Sequence, residues 1–196
     1  RVYGQVKKAV DDVWVATDDQ RIYDECTRIG ANVVMTSPDH PSGTDRINEA
    51  VRLIGCKSDV VINVQGDEPF INPQQITDLK SCFDDADTHI ATLARKFDAA
   101  KGFEALFDPN LVKVVFSRNM QALYFSRSII PYVRGAEWKE WLDKTTFYSH
   151  VGVYAYRREV LSQVTALPRS SHEIAESLEQ LRWLENGYRI KVGVTD

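Results

Sequence analysis

The segment Asp59–Pro69, DVVINVQGDEP, constrains the fold of this chain more than any other. A short β-branched run, Val60-Val61-Ile62-Asn63-Val64, stops abruptly at Gln65-Gly66-Asp67-Glu68-Pro69. Such a run, bounded by turn residues, predicts a fully buried parallel strand. Open α/β sheets bind ligands beyond the carboxyl ends of these strands. The segment therefore places a glycine and two carboxylates where a nucleotide site is expected. Carboxylates there suit a Mg²⁺ that shares its remaining ligands with substrate phosphates.

The rest of the chain alternates in the same style. Val13–Ala16 predicts a strand, Thr17-Asp18-Asp19 a helix start, and Gln20–Ile29 a helix ended by Gly30. Asn32–Met35 predicts a second strand. The loop Ser37–Arg46 then leads into Ile47, Ala50, Val51 and Ile54, spaced as one helix face. A helix over Pro73–Phe83 carries proline in its first turn, and His89–Leu93 and Leu111–Phe116 predict further strands. Strands alternating with helices predict an α/β, Rossmann-like doubly wound and mostly parallel sheet. Phe103–Trp141 alternates less cleanly and predicts a small elaborated subregion beside that sheet.

The 196 residues suit one domain, and 43% hydrophobic with 27% charged residues is globular composition that argues against disorder. A net charge of -4 disfavours non-specific binding to nucleic acid or to an anionic membrane. No apolar run is long enough to span a bilayer. Cys26, Cys56 and Cys82 are odd in number, widely spaced and without metal-ligand spacing, which predicts reduced thiols in a cytoplasmic protein. Arg1–Val10 reads as the last turns of a helix and Arg189–Thr195 as a strand without a cap, so further elements are expected beyond both ends.

Candidate chemistry must be weighed against ordinary structural roles. Adjacent acids in a turn often only cap a helix, but the strand before Asp67 and Glu68, with Gly66 and Pro69, favours a site. Successive side chains alternate in direction, so one acid faces the site, and Asp67 is the expected one. Ser42-Gly43-Thr44-Asp45-Arg46 reads equally as an N-capping loop and as a loop whose small residues and free N–H groups admit a ligand. Arg127, after Ser126, offers a fork that fits a carboxylate, although a lone arginine is more often a surface charge. Period two puts His150, Gly152, Tyr154 and Tyr156 on one strand face and Val151, Val153 and Ala155 on the core face. Ser170–Glu185 predicts one helix with a Ser170/Glu173 capping box and a core stripe of Ile174, Leu178 and Leu181. Its periodicity leaves Glu176, Glu179 and Gln180 on the solvated side.

Several ordered motifs together add a family likeness. Val15–Asp18, His40–Arg46, Asn63–Pro69, Asp108–Val115, Ala122–Arg127, His150–Tyr154 and Glu176–Arg182 resemble the 3-deoxy-manno-octulosonate cytidylyltransferase (CMP-Kdo synthetase) family over nearly the whole chain. The resemblance implies a nucleotidyltransferase fold whose subregion serves sugar binding and dimerisation. It implies CTP plus the keto sugar acid Kdo giving CMP-Kdo and pyrophosphate, for lipopolysaccharide synthesis, with Mg²⁺ and as a homodimer. Ser42, Gly43 and Thr44 would lie at the cytosine, and Gln65, Gly66 and Asp67 at the phosphate and metal. Arg127, His150, Tyr154, Glu179 and Gln180 would line the Kdo site, which reverses the solvated reading of Glu179 and Gln180. Asp67 and Arg127 would be the catalytic pair. The family's N-terminal strand with its basic glycine loop, and a C-terminal segment with a second metal-binding aspartate, are expected outside this chain. Another keto sugar acid such as sialic acid, or a non-catalytic nucleotide-binding domain, remains an open alternative.

Overall fold

Local signals set most of the helices. The computed structural model describes residues 1–68 and 71–196; Pro69 and Phe70, and with them the expected effect of Pro69 on Glu68, lie outside. After a short helix α1 (Val2–Val6) come β1 (Val15–Thr17), α2 (Gln20–Arg28), β2 (Val33–Met35), α3 (Gly43–Leu53) and β3 (Val60–Asn63). Asp19 caps α2 by accepting from the Arg21 N–H, and Ser42 caps α3 by accepting from that of Asp45. The helix α4 (Pro73–Ser81) begins with Pro73 behind an Asn72/Gln75 capping box. Each such cap stabilises a helix by about 1 kcal/mol.

The second half supplies β4 (Ile90–Lys96), the hairpin β5 (Lys113–Phe116) and β6 (Ala122–Ser126), and a short helix α5 (Trp141–Lys144). A ten-residue strand β7 (Tyr148–Arg157) follows, then helices α6 (Arg158–Thr165), α7 (Ser171–Glu176) and α8 (Glu179–Glu185), and strand β8 (Ile190–Thr195). β1 and β2 form a parallel pair. The larger sheet runs β6-β5-β7-β4-β8, with β3 also on β7. β3, β4, β5 and β8 share one direction, while β6 and β7 oppose them.

Two expectations change. Val60–Val64 does not form a fully buried strand with a parallel neighbour: β3 is antiparallel to β7 and Val60–Ile62 are half-buried. The cause is β7, which inserts between β3 and β4 and pairs with both. Ser170–Glu185 is not one helix either. It breaks at Ser177, which adopts φ 51, and at the extended Leu178. The break shifts the helical phase, so Leu178 and Leu181 are buried but Ile174 is 58% exposed.

The core lies on both faces of β7. Tyr156, Leu161, Leu181, Trp183 and Ile190 anchor one cluster; Ile76, Leu79, Ala91, Leu93 and Ala155 anchor the other. A third, around Phe97, Leu106, Trp141 and Phe147, supports the elaborated subregion. Cys26 and Cys82 are buried, Cys56 is half-buried, and all three are free thiols. No helix among the described residues is long and apolar enough to cross a membrane.

Candidate active site

The end of β3, the start of α3 and the start of α8 converge. Ser42 is the N-cap of α3, and its hydroxyl also donates to the Asp45 carboxylate at 2.6 Å, with Glu179 Oε1 3.3 Å away. The buried Thr44 hydroxyl donates to Glu179 Oε2 at 2.7 Å. The loop therefore caps a helix, as expected, and also faces the first residue of α8. Gly43 has a packing reason, because a Cβ there would lie 3.1 Å from Gln65 Nε2 and 3.3 Å from Gln65 Oε1. Gln65 thus lies against the Ser42–Thr44 loop.

Beyond Gln65 the chain turns at Gly66 and Asp67, and the Glu68 N–H donates to the Gln65 carbonyl at 3.3 Å. Asp67 is exposed and its carboxylate has no hydrogen-bond or ion-pair partner among the described residues. No three candidate ligands cluster to hold a metal among those residues. A lone free carboxylate at a strand end fits Mg²⁺, which takes one or two carboxylates and completes its shell with phosphates and water.

One face of β7 forms the floor, as the alternation predicts. His150, Tyr154 and Tyr156 follow one another at ring separations of 5.3 and 6.2 Å, and Trp183 of α8 meets both tyrosines edge-on at 5.1 and 5.5 Å. This face is not an ordinary half-exposed sheet surface, because Tyr156 is fully buried. Thr92 Oγ1 lies 2.9 Å from His150 Nε2 and donates to the Val153 carbonyl at 2.8 Å, across the irregular register of β4 and β7. Burial pushes the His150 imidazole down to about 3 and pushes the Tyr154 and Tyr156 phenols up, so the floor is polar and uncharged.

Glu179 is the exception. Burial raises its carboxyl above the ordinary range, opposed by the Thr44 hydrogen bond and the Arg182 charge. Arg182 Nη2 donates to Glu179 Oε1 at 2.7 Å. Tyr154 Oη, Tyr156 Oη, Gln180 Nε2 and Trp183 Nε1 are buried without partners among the described residues. Such groups are ordinarily satisfied by water or by a polar ligand.

The structure therefore brings Ser42, Thr44 and Glu179 together, sets Gly43 on Gln65, and aligns His150 with Tyr154. It does not leave Arg127 pointing freely into the cleft. The guanidinium of Arg127 donates to the carbonyls of Glu176, Pro109 and Ser177. Residues not singled out in the sequence complete the surroundings: Thr92, Lys113, Arg182 and Trp183. Lys113 had a signal, since a lysine inside the apolar run Leu111–Phe116 must bury its charge, and it is fully buried. Thr92 had none.

Comparison with known proteins identifies the family. A family model described as cytidylyltransferase matches residues 1–190. The chain is 58% identical over 197 residues to the 3-deoxy-manno-octulosonate cytidylyltransferase of Parabacteroides distasonis, covering 100% of this chain and 78% of that protein. It is also 58% identical over 196 residues to the protein of that name from Bacteroides thetaiotaomicron, with the same coverage of 100% and 78%. A solved structure of CMP:2-keto-3-deoxy-manno-octonic acid synthetase complexed with CTP matches at TM-score 0.89 and 41% identity, over 99% of this chain and 77% of that one. The inositol-1-phosphate CTP transferase from T. maritima matches at TM-score 0.58 and 16% identity, over 98% and 71%, which is a likeness of fold alone. With this identity sustained along its whole length, the chain belongs to the 3-deoxy-manno-octulosonate cytidylyltransferase family.

Proposed function

We propose that the protein transfers CMP from CTP to 3-deoxy-D-manno-octulosonate (Kdo), giving CMP-Kdo and pyrophosphate for lipopolysaccharide biosynthesis. The observation that carries this reading is the 2.7 Å hydrogen bond from Thr44 to Glu179. It joins the loop expected at the cytosine to the helix expected at the sugar acid, in a chain 58% identical to proteins named for this reaction.

In this reading Ser42, Gly43 and Thr44 hold the base, and Gln65 and Gly66 lie along the phosphates. His150, Tyr154, Glu179 and Gln180 line the sugar acid, and the orphaned Tyr154 and Gln180 atoms supply hydrogen bonds to its hydroxyls. Asp67 would hold Mg²⁺, which when bound neutralises phosphate charge. A sugar hydroxyl attacks the α-phosphorus in line. The new P–O bond forms as the bond to pyrophosphate breaks, and the hydroxyl proton passes to solvent. The protein contributes chiefly by positioning, because it brings base loop and sugar-acid helix into contact before chemistry begins. A homodimer in the cytoplasm completes the proposal. The exposed pair Phe107–Trp138, with centroids 5.3 Å apart, supports an apolar contact between copies, and the free thiols support a reducing compartment.

The test is pyrophosphate release from CTP with Mg²⁺, with Kdo or sialic acid offered in turn. Release that requires Kdo is expected. Equal turnover with sialic acid would overturn the substrate, and CTP binding without release under any condition would overturn the enzymatic reading.

A further inference from the structure

Arg127 stands at the junction of three loops, and its hydrogen bonds go to the main chain. Nε donates to the Glu176 carbonyl at 2.6 Å, Nη1 to that of Pro109 at 2.9 Å, and Nη2 to that of Ser177 at 3.3 Å. Each guanidinium nitrogen thus engages a different carbonyl, and the plane of the group is fixed. Its backbone is held as firmly. The Arg127 N–H donates to Glu176 Oε2 at 2.8 Å, and the Ser126 hydroxyl donates to Glu176 Oε1 at 2.7 Å. From the opposite side the buried Lys113 ammonium donates to the Arg127 carbonyl at 2.7 Å, to Leu111 at 2.6 Å and to Asp108 at 3.1 Å.

Two of the captured carbonyls matter most. In an unbroken helix those of Glu176 and Ser177 would accept from the N–H groups of Gln180 and Leu181. Arg127 takes them instead, and the Leu181 N–H turns to the Leu178 carbonyl at 3.2 Å. Ser177 sits in the left-handed region at φ 51, which a side-chain-bearing residue adopts only when its surroundings impose it. The chain then re-enters a helix at Glu179 with a new phase. That phase carries the Glu179 carboxylate to Thr44 and Ser42, and buries Gln180. Continued on the phase of α7, whose buried side chain is Glu173, the helix would point Glu179 well away from that buried face.

We propose that Arg127 is a positioning residue: by holding the carbonyls of Glu176 and Ser177 it sets the break between α7 and α8, and so aims Glu179 across the cleft at the Ser42–Thr44 loop. The activity readouts below rest on the proposed cytidylyl transfer; the exchange readout does not.

The experiment compares wild type with Arg127→Ala, Arg127→Lys and the double variant Arg127→Ala/Ser177→Gly. Amide exchange over residues 176–181 is measured in the substrate-free protein, and kcat and KM for CTP and Kdo are measured separately. Arg127→Ala is expected to exchange roughly tenfold faster in this segment alone. Its kcat/KM should fall about 100-fold, with kcat taking part of the loss, as for any misplaced catalytic constellation. Arg127→Lys should fall with it, because one compact ammonium cannot span three carbonyls. Should Arg127→Ala fail to fold, the lysine variant carries the same comparison. Glycine takes the left-handed conformation without penalty, so Ser177→Gly should restore several-fold of the lost activity and part of the protection. A direct ligand for the sugar carboxylate behaves otherwise. Unchanged exchange in the free variants, a loss confined to the KM for Kdo, or no recovery with Ser177→Gly would each overturn the proposal. If wild type itself fails to turn over CTP and Kdo, the functional reading falls and the exchange comparison alone decides the role of Arg127.

Discussion

Gly43 illustrates how a single missing atom separates stability from function. It opens α3, where alanine would favour the helix by about 0.5–1 kcal/mol, yet a Cβ would press on the Gln65 amide at 3.1 Å. Gly43→Ala should therefore melt at or above the wild-type temperature while its KM for CTP rises; a lower melting temperature with unchanged KM would contradict this assignment of Gly43. Asp67→Asn should stay folded, because the side chain is exposed and unpartnered, and lose most turnover, because an amide is no anionic ligand. Wild-type rates in that variant would remove Asp67 from the site. His150 predicts a pH effect on stability. Its imidazole is pushed down to about 3 in the fold, against 6.5 in the unfolded chain. Between those values the unfolded state binds more protons, so stability is full above pH 6.5 and is lost as the pH falls. His150→Gln removes a slope of up to about 1.4 kcal/mol per pH unit. Urea midpoints at pH 7 and pH 5 should therefore differ less in the variant than in wild type, and an equal drop in both would refute the assignment.

The pairing of β4 with β8 offers a stability test away from the cleft. A Cβ on Gly193 would sit 2.8 Å from Leu93 Cδ2 and 3.3 Å from Cys82 Sγ. Gly193→Ala should cost about 1–3 kcal/mol by overpacking, seen as a lower denaturation midpoint with substrate KM values unchanged. Elements whose causes are local were legible in the sequence. The caps Asp19 and Ser42, Pro73 in the first turn of its helix and the helical period around Ile47 and Val51 lie within a few residues of what they determine. The two faces of β7 were legible for the same reason. What was hidden is tertiary. Nothing near Ser177 announces a helix break, since the guanidinium that captures its carbonyl comes from 50 residues earlier. The antiparallel partner of β3 was likewise invisible, because β7 lies some 90 positions downstream and no local period reports a strand inserted from there. Of the site, the Gly43–Thr44 loop, Asp67 and the His150/Tyr154 face were readable as chemistry. Glu179 and Gln180 were readable only through family likeness.

The larger sheet curls until its ends meet. Gln121, just before β6, bridges to Lys191 of β8, and the Val192 N–H donates to the Met120 carbonyl at 2.7 Å. Outside that curl, Phe107, Tyr132 and Trp138 stay exposed on the elaborated subregion. If copies associate there, Trp138→Glu should shift the sedimenting species from dimer to monomer at micromolar concentration; an unchanged dimer would place the interface elsewhere. The Thr44–Glu179 hydrogen bond has a further meaning for a chain made from one end to the other. Its partners lie 135 positions apart. Closing so long a loop is slow and entropically costly until the intervening sheet has formed. A nascent chain still inside the ribosome at α8 already displays the Ser42–Thr44 loop, but without Glu179 opposite it. The two sides of the cleft thus meet only after α8 has been synthesised, well after the Ser42–Thr44 loop has emerged.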